Sequence, residues 1–326
     1  MRIAPPLSPV ETIGVDLGGS KMRVAVVDGE QRILYRSTEP SRGRSAGEVL
    51  DTLERELADA QSARPGVAAA GLGVPCTIDQ RTGVAIMAVN LPLIDVPIRD
   101  MMRDALGLPV FVDNDVNAAI LAEHRFGAAR GVENAVMISL GTGIGGGLVL
   151  AGEVYRGTVG AASELGHTVV DLDGPRCQGN CPNRGCIEAV ASGTALGREG
   201  REAAERTPES ALGVLLAQRR EIDGKAVTDA ALDGDRTARD VVALIGRRLG
   251  VAFSSFANIF DPEVIVVGGG VIEVGELLLQ PAREELRARA LHPMNATRVV
   301  AAELGDEAGM VGAATLAQLE LGKGAG

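Results

Sequence analysis

His167, Cys177, Cys181 and Cys186 stand ten, four and five residues apart, with Pro, Asn and Gly turn residues between them. One imidazole and three thiolates make a closed tetrahedral donor set, the composition of a structural zinc site with no position left for water. The alternative is a group of reduced thiols packed beside an unrelated histidine. Three of the four cysteines fall within ten residues, which favours metal ligation in a reducing compartment over a disulfide framework. The fourth, Cys76, follows Pro75 at the end of an apolar run and reads as a packing residue.

A second group is Asp113-Asn114-Asp115-Val116-Asn117, directly after the apolar Phe111-Val112. Asp113 or Asn114 can cap the helix that follows. Three polar residues in succession exceed what one cap needs. A carboxylate at Asp115 can accept the proton of a substrate hydroxyl and orient its oxygen, as phosphoryl transfer requires. Glu164, His167 and Glu188 add polar groups around the cysteine loop. Such groups take sugar hydroxyls in pairs, although a single glutamate is more often solvated surface.

The third group is glycine. Gly18-Gly19-Ser20-Lys21 and the run from Gly141-Thr142-Gly143 to Gly147 can aim backbone N–H groups at phosphate oxygens. Neither is a Walker A motif or a dinucleotide fingerprint that opens a helix, and each can equally be a tight turn. Gly268-Gly269-Gly270 follows an apolar run. It is a third place where backbone can meet a ligand, or a plain strand-to-helix connection.

The elements that must position these groups follow from periodicity. Short apolar runs predict strands over 12–16, 22–28, 32–37, 67–74, 109–112, 135–140, 263–267 and 297–301. Apolar spacing of three and four predicts helices over 46–61, 98–106, 114–126, 236–260, 275–290 and 309–321. A glycine turn is expected over 141–147. Laying 15–30 over 138–153 superposes Leu17 on Leu140, Gly18 on Gly141, Val26 on Val149, Gly29 on Gly152 and Glu30 on Glu153. Five identities at one offset predict two related halves, each opening with a hairpin whose glycine turn can face a ligand. The class expected is α/β with a hinged cleft.

The bulk composition agrees. With 326 residues and 46% hydrophobic content the chain can bury two cores. No run of 18 uncharged apolar residues predicts a membrane span. The first ten residues carry no secretory pattern and read as a disordered lead-in to a cytoplasmic protein. A net charge of −11, with the basic residues dispersed, argues against a nucleic-acid partner.

The segments GVDLGGSK, GLGVP, FVDNDVNAA, LGTGIGGG, ELGH, CQGNCPNRGC with the Ile187-Glu188 that follows it, and VVGGG together resemble the ROK family of sugar kinases and sugar-responsive repressors. Within it they are most similar to the bacterial glucokinases. The resemblance runs from about residue 13 to about residue 317. It implies the two-domain actin-like (ribonuclease H-like) kinase fold, with ATP, Mg²⁺ and a hexose in the interdomain cleft. The expected small domain is 1–122 plus 310–326, and the large domain is 123–309 with the zinc loop. Asp115 would be the base. Asn90, Asn114, Glu164, His167 and Glu188 would hold sugar hydroxyls, and His167 would serve zinc as well. Asp16 would lie near Mg²⁺. Gly18, Gly19, Ser20 and Lys21 would flank the phosphates with Gly141, Thr142 and Gly143, and Gly268, Gly269 and Gly270 would lie near the adenosine.

A homodimer or homotetramer is the implied assembly, and glucose the implied sugar. N-acetylmannosamine, N-acetylglucosamine and fructose kinases share the motifs. A sugar-sensing regulator is the reading from another class; the room before residue 12 is too short for the DNA-binding domain such regulators carry. Two departures from the family pattern bear on the pocket. Three residues, Gln178, Gly179 and Asn180, separate the first two cysteines where one is usual, and Cys76 stands after Val-Pro where glycine is common.

Overall fold

The computed structural model describes residues 7–41, 45–88 and 91–323. Asn90, expected at the sugar, lies outside the described residues, as does part of the expected lead-in.

The chain opens with β1 (Thr12–Leu17), β2 (Lys21–Val27) and β3 (Ile33–Pro40), then α1 (Ala46–Ala63) and β4 (Ala69–Val74). Three short strands follow, β5 (Cys76–Asp79), β6 (Val84–Ala88) and β7 (Ile94–Val96), then α2 (Ile98–Leu106), β8 (Val110–Asn114) and α3 (Asp115–Phe126). Five of these strands form a sheet in the order β3–β2–β1–β4–β8, with β4 parallel to both β1 and β8. All six residues of β4 are buried, as a parallel strand covered on both faces must be.

The second half contains β9 (Ala135–Leu140), β10 (Ile144–Leu150), β11 (Glu153–Val154), α4 (Ile187–Ala191), α5 (Gly193–Arg206), α6 (Ala211–Ala217) and α7 (Gly224–Leu232). It continues with α8 (Arg236–Phe260), β12 (Val264–Gly268), α9 (Glu276–Arg289), β13 (Arg298–Ala301) and α10 (Ala308–Lys323). The sheet order is β11–β10–β9–β12–β13. Shifted by 123 residues, the bounds of β1 and β2 become those of β9 and β10, so the repeat seen in sequence is a repeat of structure.

The chain groups into two units, Met1–Glu133 with Gly147–Ser163 and Glu303–Gly326, and Asn134–Gly146 with Glu164–Ala302. Segments 123–133, 147–163 and 303–309 therefore group with the first unit rather than with the expected large domain. The reason is local. α3 runs unbroken past residue 122, and buried Glu123 accepts the amides of Ala128, Glu303 and Leu304 at 2.8, 3.2 and 2.8 Å.

In the first unit α10 lies directly on the sheet. A Cβ at Gly14 or Gly71 would stand 2.0 or 1.8 Å from the carbonyl oxygens of Met310 and Ala313, so those strands need glycine at the crossing. The helix is apolar nearly all round and is buried from Ala308 to Gln318.

Two sequence expectations change. The glycine turn is shorter than 141–147, because Ile144 already pairs within β10 and only Gly141-Thr142-Gly143 remain to turn. The strand expected over 109–112 continues to Asn114. The three-stranded sheet β5–β6–β7 had no sequence reading. Its strands have three to five residues each, too short for a periodic signal. Among the described residues no helix is long and apolar enough to cross a membrane.

Candidate active site

In the first unit, β8 runs straight into α3 and its last residue caps the helix. Asn114 Oδ1 accepts the amides of Val116 and Asn117 at 2.9 and 3.3 Å. The cap is therefore Asn114, and the carboxylates on either side make other contacts. Asp113, 1% exposed, is held from four directions. Its Oδ1 accepts from Asn114 N at 2.8 Å, Asn117 Nδ2 at 2.9 Å and Gln80 Nε2 at 3.3 Å. Its Oδ2 accepts from Arg156 Nε at 2.7 Å. Asp113 is a buried hub that fixes the strand-to-helix turn.

Asp115 is the first residue of α3 and is half-buried. One of its oxygens accepts the Val116 amide at 3.0 Å. The N-terminal end of the helix favours its negative charge. Asn114 Nδ2 donates to the Cys76 carbonyl at 3.4 Å, which places β5 beside the same turn. Burial, and then the charge of Asp115, push the Cys76 thiol up to about 12. The residue that stands where the family usually has glycine therefore lies within electrostatic reach of Asp115.

Asp16 closes β1. Burial raises its pKa, while Arg23 at 3.3 Å pulls the other way and also pairs with Asp306 at 2.8 Å. A Cβ at Gly309 would stand 2.6 Å from the Asp16 carboxyl carbon, so glycine lets the first turn of α10 approach that carboxylate. The adjacent hairpin is closed by Gly18 N donating to Lys21 O at 2.9 Å, and it leaves Ser20 and Lys21 exposed. Ser41 braces it from outside, its hydroxyl donating to Gly18 O at 2.6 Å.

In the second unit the corresponding turn, Gly141-Thr142-Gly143, is tied to α4 and α5. Glu188 Oε2 accepts the Ile144 amide at 2.8 Å. A Cβ at Gly143 would lie 2.3 Å from that oxygen, so this contact requires glycine. Gly193 N donates to Gly141 O at 2.8 Å, and Thr194 Oγ1 donates to Thr142 O at 2.9 Å. Gly268 lies within β12, paired with Ser139. Gly269, with φ of 87°, sits so close to the Leu140 backbone that a Cβ would be 2.5 Å from its carbonyl oxygen. Gly270 opens the 3₁₀ turn Gly270–Val274.

The cysteine loop lies on the same unit. The four ligand atoms of His167, Cys177, Cys181 and Cys186 all fall within 4.8 Å of one another. Cys177 Sγ is 3.6 Å from His167 Nδ1, and Cys181 Sγ is 3.9 Å from Cys186 Sγ. Ligands around a tetrahedral zinc, with bonds of about 2.3 Å to sulfur and about 2.0 Å to nitrogen, stand roughly 3.5–3.8 Å apart. The donor set fits that ion. Burial pushes the Cys177 and Cys186 thiols up, so protons compete with a cation for these sulfurs. The loop is closed by Gly185, whose positive φ of 61° and close approach to Asp171 O exclude any side chain.

His167 ends the 3₁₀ turn Leu165–His167 that Glu164 opens. Glu164 remains solvent-exposed, yet surrounding chain desolvates it and pushes its pKa up, with His167 opposing and Glu188 adding. Glu188 is buried, and its Oε1 lies 3.7 Å from Cys177 Sγ. One carboxylate thus touches both the glycine turn and the cysteine cluster. Sequence reasoning missed Arg156, Gln80 and Ser192. Each acts through contacts 33 or more residues away or through a buried cap, which leaves no local pattern.

The sequence profile described as ROK family matches residues 12–320. This chain belongs to the ROK family. The glucokinase of Thermotoga maritima is 37% identical over 321 residues, which cover 96% of this chain and 99% of that protein. A crystal structure of a ROK family glucokinase from Streptomyces griseus in complex with glucose and AMPPNP is 38% identical, with a TM-score of 0.85 over 95% of this chain and 99% of that one. A putative xylose repressor from Caldicellulosiruptor is 32% identical over 92% of this chain and 76% of its own length. The fold is the two-domain actin-like fold of the ROK sugar kinases.

Proposed function

We propose that this sugar kinase transfers the γ-phosphoryl group of MgATP to a hexose hydroxyl, with glucose as the acceptor and Asp115 as the general base. The observation that carries the assignment is the division of labour at the β8–α3 turn. Asp113 is buried and held by four donors, whereas Asp115 is half-exposed at the positive end of α3. A base must reach substrate, and the half-exposed Asp115 suits that task better than the buried, fully held Asp113. Glucose rests on the glucokinase relatives and on the glucose held by the Streptomyces griseus protein.

The remaining residues divide the binding tasks in this reading, and His167 takes two of them. Asn114, Glu164, His167 and Glu188 hold hydroxyls of the sugar, and Asn90 joins them. The turns at Gly18-Gly19-Ser20-Lys21 and at Gly141-Thr142-Gly143 offer amides to the phosphates. Asp16 faces the magnesium, and Gly268-Gly269-Gly270 the nucleoside. His167, Cys177, Cys181 and Cys186 would hold a structural Zn²⁺, which when bound supplies order to the loop. His167 would keep one ring nitrogen for the sugar. The kinase would work in the cytoplasm at the entry to glycolysis, as a homodimer or homotetramer, on small molecules rather than on nucleic acid.

The repressor relative favours a second reading, a sugar-sensing regulator without phosphoryl transfer. An ADP-release assay with MgATP and a panel of hexoses and N-acetylhexosamines separates the two. Selective turnover of glucose is expected. Turnover of another sugar keeps the mechanism and moves the substrate, and sugar binding without any turnover would establish the sensor.

A further inference from the structure

The cysteine loop carries three residues between its first two thiolates, and Gln178 is the first of them. Its side chain turns away from the cluster: Gln178 Nε2 donates to Ser192 Oγ at 3.1 Å. Ser192 is fully buried and stands between two helices, ending α4 and capping α5. The same hydroxyl oxygen accepts the Ala195 amide at 3.2 Å, so the loop grips the cap of α5 itself. The next two residues of that helix hold the glycine turn. Gly193 N donates to Gly141 O at 2.8 Å, and Thr194 donates to Thr142 O from its amide at 3.3 Å and from its hydroxyl at 2.9 Å. A Cβ at Gly193 would stand 2.6 Å from Gly141 O, which shows how tightly the helix start and the turn are packed.

We propose that Gln178 is a positioning residue for the nucleotide. Through Ser192 it sets the first turn of α5, and through Gly193 and Thr194 it sets the direction of the amides of Gly141-Thr142-Gly143. This rests on the reading that those amides meet the phosphates. The cysteine loop then serves two functions by two routes. His167 and Glu188 relate it to the sugar, and Gln178 relates it to ATP. A hydrogen bond from a half-buried side chain contributes modestly, so loss of this one shifts affinity rather than abolishing it.

The test is Gln178→Ala in the full-length, zinc-loaded protein, with Gln178→Glu as the conservative variant, whose carboxylate can accept the Ser192 hydroxyl proton in a bond with donor and acceptor exchanged. Metal content, melting temperature, calorimetric affinities for AMPPNP and for glucose, and amide hydrogen exchange over 141–145 and 193–196 are compared with wild type. Gln178→Ala is expected to weaken AMPPNP binding about 3- to 10-fold, to speed exchange in both segments, and to leave glucose affinity and metal content unchanged. Gln178→Glu should recover most of the affinity. Unchanged AMPPNP affinity with unchanged exchange overturns the proposal. So does a joint loss of metal, glucose affinity and AMPPNP affinity, which would place Gln178 in the metal loop alone. Faster exchange with unchanged AMPPNP affinity would keep the anchor but remove the turn from the phosphates, so the reading beneath the proposal would be what failed.

Discussion

Glu188 accepts the backbone amide of Ile144 at 2.8 Å, and the glycine at position 143 exists to let that carboxylate in. A residue expected to hold sugar is therefore also the brace of the glycine turn. The two roles separate by substitution. Glu188→Gln keeps an acceptor for the Ile144 amide and should melt within a few degrees of wild type while losing glucose affinity. Glu188→Ala leaves that buried amide unpaired, which costs about 1–3 kcal/mol, and should lower the melting temperature as well. Thermal melts read beside glucose titrations check this. Equal melting of the two variants would remove the bracing role.

Asp113 and Asp115 are two residues apart and should fail in different ways. Asp115→Asn is expected to fold normally and lose at least about 100-fold in kcat, the effect of removing a positioned base. Asp113→Ala leaves the Arg156 guanidinium facing a cavity and strands the side chain of Asn117. Breaking a well-buried pair costs about 3–5 kcal/mol, and Arg156, 27% exposed, should bring this nearer the lower figure. The predicted signature is a destabilised protein whose loss of activity tracks its unfolding. Circular dichroism melts and steady-state kinetics on both variants decide it.

Much of this was legible in the residues themselves. The 123-residue offset between the two hairpins predicted the repeat because β-hairpins with glycine turns write their register into sequence. The grouping of His167 with the three cysteines was legible because all four lie within twenty residues of sequence. The Asp113–Arg156 pair and the grip of Gln178 on Ser192 were not, because each joins side chains whose partners are set by the folded sheet or by a buried cap. The glycines at 145–147 misled, since glycine that marks a turn and glycine that admits a packed helix look the same. A Cβ at Gly147 would press on Ile120 at 3.0 Å, so α3 rather than a turn requires it.

Asp16 yields a prediction in pH. Burial raises its pKa in the folded protein and Arg23 only partly offsets this. A folded state that binds a carboxyl proton more tightly than the unfolded chain is stabilised by that group below the unfolded aspartate pKa. The contribution is lost as pH rises through the folded pKa. The neutral amide of Asp16→Asn has no such loss, and Arg23 keeps Asp306 at 2.8 Å. Asp16→Asn should therefore melt above wild type at neutral pH. The gap should close on acidification into the ordinary aspartate range, and kcat should fall if the carboxylate serves Mg²⁺. A variant less stable at every pH would show that the Arg23 ion pair outweighs the burial.

The four thiols should report the metal. Cys177, Cys181 and Cys186 would be masked as ligands, and Cys76, 3% exposed with its thiol pushed up to about 12, stays protonated at pH 8. Native protein is expected to react with no equivalent of a thiol reagent on the minute timescale. Chelation should expose Cys181 first, since it is the only one of the three that is not buried, and should lower both the melting temperature and the affinity for glucose. Cys76 should react only as the protein unfolds, because the turn that holds Asp115 packs over its strand. Rapid labelling of Cys76 in folded, metal-loaded protein would mean that β5 opens beside the turn that holds Asp115, and the assignment of Cys76 as a closed packing residue would have to be given up.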